Sequence, residues 1–145
     1  MAIIKIIIHR SESNWGSAKV IDGWHKKNGW SGIGYHYVVG NSFPTSTSWT
    51  QRKPIFDNDG EIEVGRKFGT MGAHCKGHNS DSVGICLIGM RTFSTRQFHS
   101  VIHLVKKIRE SYPDVEVFGH YELSDNKPNC PSINMDYLRE LLKDA

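Results

Sequence analysis

Two histidines and a cysteine stand where a metal centre could be built. His9 closes the apolar run Ile3-Ile4-Lys5-Ile6-Ile7-Ile8, and His120 closes Val115-Glu116-Val117-Phe118-Gly119. Cys130 follows ten positions on (130 − 120 = 10), in Lys127-Pro128-Asn129-Cys130-Pro131. Two imidazoles at strand ends and one loop thiolate are the ligand types of an open catalytic zinc site. Three protein ligands leave a fourth tetrahedral position for water, and zinc lowers the pKa of that water to about 7. The chemistry such a centre supplies at neutral pH is attack on an amide carbonyl, so the chain reads as a hydrolase.

Other histidines compete for attention. His74, Cys75 and His78 lie close together in a Gly-rich stretch, but adjacent residues need strained geometry to bind one ion. His99 and His103 have the spacing of a zincin helix, yet His99-Ser100-Val101-Ile102-His103 lacks the glutamate that should follow the first histidine. Both read as ordinary helix residues. Tyr35-His36-Tyr37 alternates on a strand, which turns His36 to the face opposite Tyr35.

The elements that must position these groups can be read from pattern. Residues 2–9 form a buried strand and 17–28 a helix with Val20, Ile21, Trp24 and His25 on one face. Strands follow at 33–39, 61–65, 83–89 and 115–119, and helices at 94–111 and 134–143. Ser94 and Thr95 are N-cap candidates, and Phe98, Val101, Ile102, Val105 and Ile108 make the apolar face behind them. Residues 41–60 are polar and read as a long surface loop, and 69–82 as a Gly-, His- and Asn-rich one. Strands interleaved with helices predict a single α/β domain over 1–145 with a central sheet.

Composition narrows the class. The chain has 145 residues, 38% hydrophobic and 23% charged, with a net charge of +3. That is an ordinary soluble domain with a mild lean toward anionic partners and no basic arm for nucleic acid. The odd set Cys75, Cys86 and Cys130 argues against a disulfide framework. Cys86 reads as a small buried hydrophobe on its strand. The N-terminal run is broken by Lys5 and lacks a cleavage site, so no signal peptide is expected, and no segment reaches membrane-span length.

Four segments carry a resemblance. They are Ile7-Ile8-His9-Arg10-Ser11; Trp24-His25-Lys26-Lys27-Asn28-Gly29-Trp30 leading into Ile33-Gly34-Tyr35-His36-Tyr37-Val38-Val39; Gly72-Ala73-His74-Cys75-Lys76-Gly77-His78-Asn79 with Ser82-Val83-Gly84-Ile85-Cys86-Leu87-Ile88-Gly89; and Gly119-His120-Tyr121-Glu122 with Cys130-Pro131-Ser132. In this order they resemble the zinc-dependent N-acetylmuramoyl-L-alanine amidases, the family of phage T7-type lysozymes and peptidoglycan recognition proteins. The resemblance implies His9, His120 and Cys130 as ligands of Zn2+ and Tyr35 as an active-site hydroxyl. It implies an amidase fold with a mixed central sheet flanked by helices, His74 and Asn79 as substrate contacts, and peptidoglycan as the partner. The expected reaction is cleavage between N-acetylmuramic acid and L-alanine.

A leaderless domain of this kind suits a monomeric endolysin held in the host cytoplasm until release. The alternatives are a non-catalytic peptidoglycan-binding module of the same fold and a muropeptide-recycling amidase. Two departures from the family pattern stand out. Pro128 occupies the position, two before the cysteine, where the family places an oxyanion-stabilising lysine or threonine; Lys127 lies one earlier and is expected to take that role, with Asn129 as the other candidate. Residues 42–58 replace a tight turn, adding Trp49, Arg52 and Phe56.

Overall fold

The computed structural model describes residues 2–143. Its elements run β1 (Lys5–Arg10), α1 (Ala18–Lys27), β2 (Tyr37–Val39), α2 (Ser46–Thr50), β3 (Ile62–Val64), β4 (Ser82–Leu87), α3 (Thr95–Ser111), β5 (Glu116–Gly119), α4 (His120–Leu123) and α5 (Met135–Leu142). The strands make one sheet in the order β3-β2-β4-β1-β5. β2, β4, β1 and β5 are parallel, and β3 is antiparallel to β2. This is the mixed sheet with flanking helices that the family resemblance implies.

The alternation of β1 sorts its side chains. Ile6 and Ile8 face α3 and α5, packing with Val101, Leu104, Val105, Leu138 and Leu142. Burying one such isoleucine contributes about 1.5–3 kcal/mol. Ile7 and His9 point to the other face, where His9 sits in register with Cys86 and Cys86 packs with Ile21 of α1. So the same period-two pattern that builds the core delivers a polar ring to the α1 side. α3 is tied in place by its cap. Ser94 Oγ accepts from the Gln97 N–H at 3.1 Å, and Gln97 Nε2 donates to the Ile88 carbonyl at 2.9 Å and the Val39 carbonyl at 3.3 Å.

Three expectations need correction. β2 begins at Tyr37 instead of residue 33, because Gly34 is pressed against the next loop; a Cβ there would lie 2.0 Å from the Ala73 carbonyl oxygen. The stretch 41–60 is not featureless. It holds α2, whose cap is the reciprocal pair Thr45 and Ser48, and a 3-10 turn at Phe56–Asn58. His120 does more than close a strand, since it opens α4, where Glu122 Oε1 accepts the Gly119 N–H at 2.9 Å. The other elements keep their expected places with small shifts at the ends.

Candidate active site

Register brings the two histidines together. β5 lies beside β1 with Gly119 opposite Ile8, so the next residue of each strand, His120 and His9, leaves the sheet at the same point. Their Nδ1 atoms are 3.1 Å apart. The 124–130 loop then returns the chain to this edge. Cys130 N–H donates to the Lys127 carbonyl at 3.2 Å, Tyr121 N–H donates to the Cys130 carbonyl at 2.8 Å, and Arg10 N–H donates to Cys130 Sγ at 3.4 Å. Among the described residues, His9, His120 and Cys130 are the group of three whose ligand atoms all lie within 4.8 Å of one another, and all three are buried. A group of this kind can bind a metal ion.

The electrostatics suit that use. Burial, and then the neighbouring His74 and His120, hold His9 well below the ordinary imidazole pKa. Burial, and then the Lys127 ammonium, lower His120. Both rings are therefore neutral donors at pH 7. Burial pushes the Cys130 thiol up to about 11, against the hydrogen bond from Arg10. A bound cation reverses that penalty, because a coordinating thiol is deprotonated outright.

His9 is held from behind by a relay that spacing alone did not reveal. Its Nε2 lies 2.8 Å from His74 Nδ1, and His74 Nε2 lies 3.2 Å from Ser82 Oγ. With His9 Nδ1 turned toward His120, the proton of neutral His9 belongs on Nε2 and is donated to His74 Nδ1. The His74 proton then sits on Nε2 and is donated to the Ser82 hydroxyl; both tautomers are assigned from partners. Burial, and then His36, depress His74 to about 3, so it stays neutral. Gly84 clears space for its ring, since a Cβ there would fall 2.7 Å from His74 Cγ.

The remaining predicted residues fall as follows. A cleft of about 590 Å³ opens in front of the trio, lined by Tyr35, His74, Asn79 and Lys127 among others. The Tyr35 ring lies 4.9 Å from that of His9. Burial, and then the nearby Cys86 and Cys130 thiols, raise its hydroxyl well above the ordinary phenol pKa, so it stays protonated at neutral pH. Asn79 Oδ1 accepts from the N–H groups of His74 and Cys75, both at 2.9 Å, which is the turn-capping use of an asparagine. Lys127 reaches the cleft beside His120 and Cys130, whereas Pro128 and Asn129 line a separate depression with Tyr121 and Ser132.

His36 is structural. Its Nδ1 accepts the Gly84 N–H at 3.1 Å and its Nε2 donates to the Thr70 carbonyl at 2.7 Å, clamping the Gly-rich loop to β4. His99 and His103 are exposed on α3. The sequence reading also overlooked two groups of the cleft wall. Arg10 and Glu12 form an ion pair at 3.1 Å, and His25 of α1 accepts the Gly34 N–H at 3.0 Å while lining the cleft.

Comparison with known proteins agrees with this geometry. Residues 1–133 match the family model described as N-acetylmuramoyl-L-alanine amidase. An endolysin of Klebsiella phage KP32 is 28% identical over 120 residues, covering 77% of this chain and 67% of the relative. A Clostridium intestinale endolysin amidase, LysCS, superposes with a TM-score of 0.80 at 25% identity, covering 98% of this chain and 84% of that one. Drosophila PGRP-LB shares the fold, with a TM-score of 0.71 at 24% identity over 90% of this chain and 75% of that one.

Proposed function

The chain belongs to the N-acetylmuramoyl-L-alanine amidase family, and on that premise we propose that it is a zinc-dependent endolysin cutting the amide between N-acetylmuramic acid and L-alanine in peptidoglycan. The observation that carries the reading is the complete His9, His120 and Cys130 set, in front of a cleft that holds a tyrosine and a lysine. The donor chemistry fits zinc. Tetrahedral Zn–N and Zn–S bonds put donor atoms about 3.3–3.6 Å apart, which small side-chain adjustments of this trio reach. A complete ligand set also weighs against a purely binding module.

Each residue then has a task. His9, His120 and Cys130 hold the ion; when bound, zinc supplies Lewis acidity toward a carbonyl oxygen and toward water. Tyr35, kept protonated, donates a hydrogen bond where negative charge develops on the attacked carbonyl. Lys127 places a second positive charge at the same rim, doing with a shifted backbone what Pro128 cannot. His74 and Ser82 fix the His9 tautomer, so that Nδ1 presents a lone pair to the ion. We place the action on the cell wall, by a monomer released from the cytoplasm; no helix among the described residues is long and apolar enough to cross a membrane.

Cys130→Ser tests the assignment. A neutral hydroxyl is a poor substitute for a thiolate, so both bound zinc and release of soluble stem peptide from purified walls should fall to background. Wild-type turnover by a zinc-free Cys130→Ser protein would end the zinc reading.

A further inference from the structure

Amide hydrolysis moves one proton, which leaves the attacking water and must arrive on the leaving nitrogen. The residues given tasks above do not carry it. Burial keeps Tyr35 protonated, and the Lys127 ammonium has no lone pair. His74 spends both ring nitrogens, on His9 and on Ser82. Burial lowers His25, and its Nδ1 accepts the Gly34 N–H. The neutral His25 ring therefore turns a proton, not a lone pair, outward from Nε2. Cys75 is a buried thiol whose pKa burial raises. Among the described residues that line the cleft, one carboxylate is left, that of Glu12.

Local geometry presents that carboxylate to the cleft. β1 ends at Arg10, and Ser11 N–H still donates to the Leu87 carbonyl at 2.9 Å. Glu12 then turns at a φ of 57°, in the left-handed region that a residue with a Cβ seldom adopts and that recurs at functional sites. The Arg10 side chain is only 10% exposed. Its guanidinium is fixed on the Met90 carbonyl and donates to Glu12 Oε1 at 3.1 Å. Glu12 Oε2 has no hydrogen-bond partner among the described residues. Arg10 also donates its backbone N–H to Cys130 Sγ, so the turn that aims Glu12 is anchored on the metal trio. Glu12 stands off from the three ligands, with Arg10 as its ion-pair partner, yet its charge raises His120, Cys130 and Tyr35. We infer that Glu12 carries the proton of the amidase reaction; this rests on the function proposed above. Oε2 takes a proton from water as the water oxygen bonds to the lactyl carbonyl carbon. The C–N bond then breaks with its electron pair going to nitrogen, and the same carboxyl returns the proton to the leaving L-alanine nitrogen. The carboxylate is restored, and the products are a lactyl carboxyl group and a free amine.

Glu12→Gln keeps the shape of the side chain and an acceptor for Arg10, and removes the base. With zinc-loaded protein and a soluble muramyl peptide, kcat should fall about 10²-fold or more, the scale of general acid–base catalysis. KM should stay within about twofold of wild type. So should the zinc Kd, read by competition against a chelator, and the denaturant midpoint should be unchanged. Glu12→Asp should recover part of the rate. Glu12→Ala should be slow and should be rescued by added formate, a small carboxylate that fits the space left behind. A Glu12→Gln kcat within about threefold of wild type would overturn the inference. So would a rate loss matched by a loss of zinc affinity or of folded stability, since that outcome makes Glu12 a structural partner of Arg10. If the zinc-loaded wild type cleaves neither muramyl peptide nor purified walls, the proposed reaction falls and this role with it. An active wild type beside an equally active Glu12→Gln protein removes the role alone.

Discussion

Replacing His74 with alanine removes the acceptor behind His9 without touching the trio itself. His9 is 1% exposed, so its Nε2–H would be left as an orphan in a dry site, at a cost of about 1–3 kcal/mol. Freed from His74, the ring can also place its proton on Nδ1, the atom that lies 3.1 Å from His120, and a protonated Nδ1 cannot bind a metal. Loss of such an outer partner weakens metal affinity about 10- to 100-fold, equivalent to about 1.4–2.7 kcal/mol. Ser82→Ala removes only the last acceptor of the relay and should weaken zinc by a few-fold. His74→Gln, whose Oε1 can accept from His9, should recover part of the loss. Competition against a chromophoric chelator gives the zinc Kd, and denaturant unfolding in chelator gives the stability of the metal-free protein. A correctly folded His74→Ala protein with a zinc Kd within twofold of wild type would refute the relay.

Tyr35→Phe should leave thermal stability near wild type and lower kcat about 10²-fold, the scale of one oxyanion donor; an unchanged rate would make Tyr35 a packing residue. Lys127→Ala should lower kcat and kcat/KM together with little change in zinc affinity, the mark of an interaction made in the transition state; unchanged kinetics would remove Lys127 from the reaction. The metal-free protein should lose stability on acidification. His36 is lowered by burial and His74 by burial to about 3, so above pH 6.5 both are neutral folded or unfolded and contribute nothing. Below 6.5 the unfolded chain takes up protons that the folded state refuses, and stability falls by up to about 1.4 kcal/mol per pH unit for each such histidine. Denaturant midpoints in chelator that stay level from pH 7 to 5 would contradict this.

The metal trio was legible because its members close strands or follow one, and strand ends are set by apolar period. The sheet was legible for the same reason. His74 was harder. Its partner His9 is 65 positions away, and nothing local distinguishes a histidine that faces substrate from one that faces another histidine. Only the parallel pairing of β1 with β4, which sets Ser82 and Gly84 beneath the ring, decides between them. The turn at Lys127 was open in the sequence because Pro128 removes a donor without fixing where its neighbours point. α2 escaped notice because Ser46, Thr47, Ser48 and Thr50 have weak helix propensity; the reciprocal Thr45–Ser48 cap, not the composition, holds it.

The sheet order also bears on how the chain survives its own synthesis. β1 is made first, yet it waits for β4 and β5, whose partners for Lys5 lie 77 and 111 positions later (82 − 5 and 116 − 5). Until then an isoleucine-rich strand with both edges open is exposed during translation, the condition that invites intermolecular pairing. Lys5 is the one charge in that run. In the finished protein it pairs with Asp81 at 3.0 Å, a part-exposed bridge of the kind that contributes about 1 kcal/mol or less. Its larger service is to the unfinished chain, where a single ammonium interrupts an aggregation-prone segment as gatekeeper residues do.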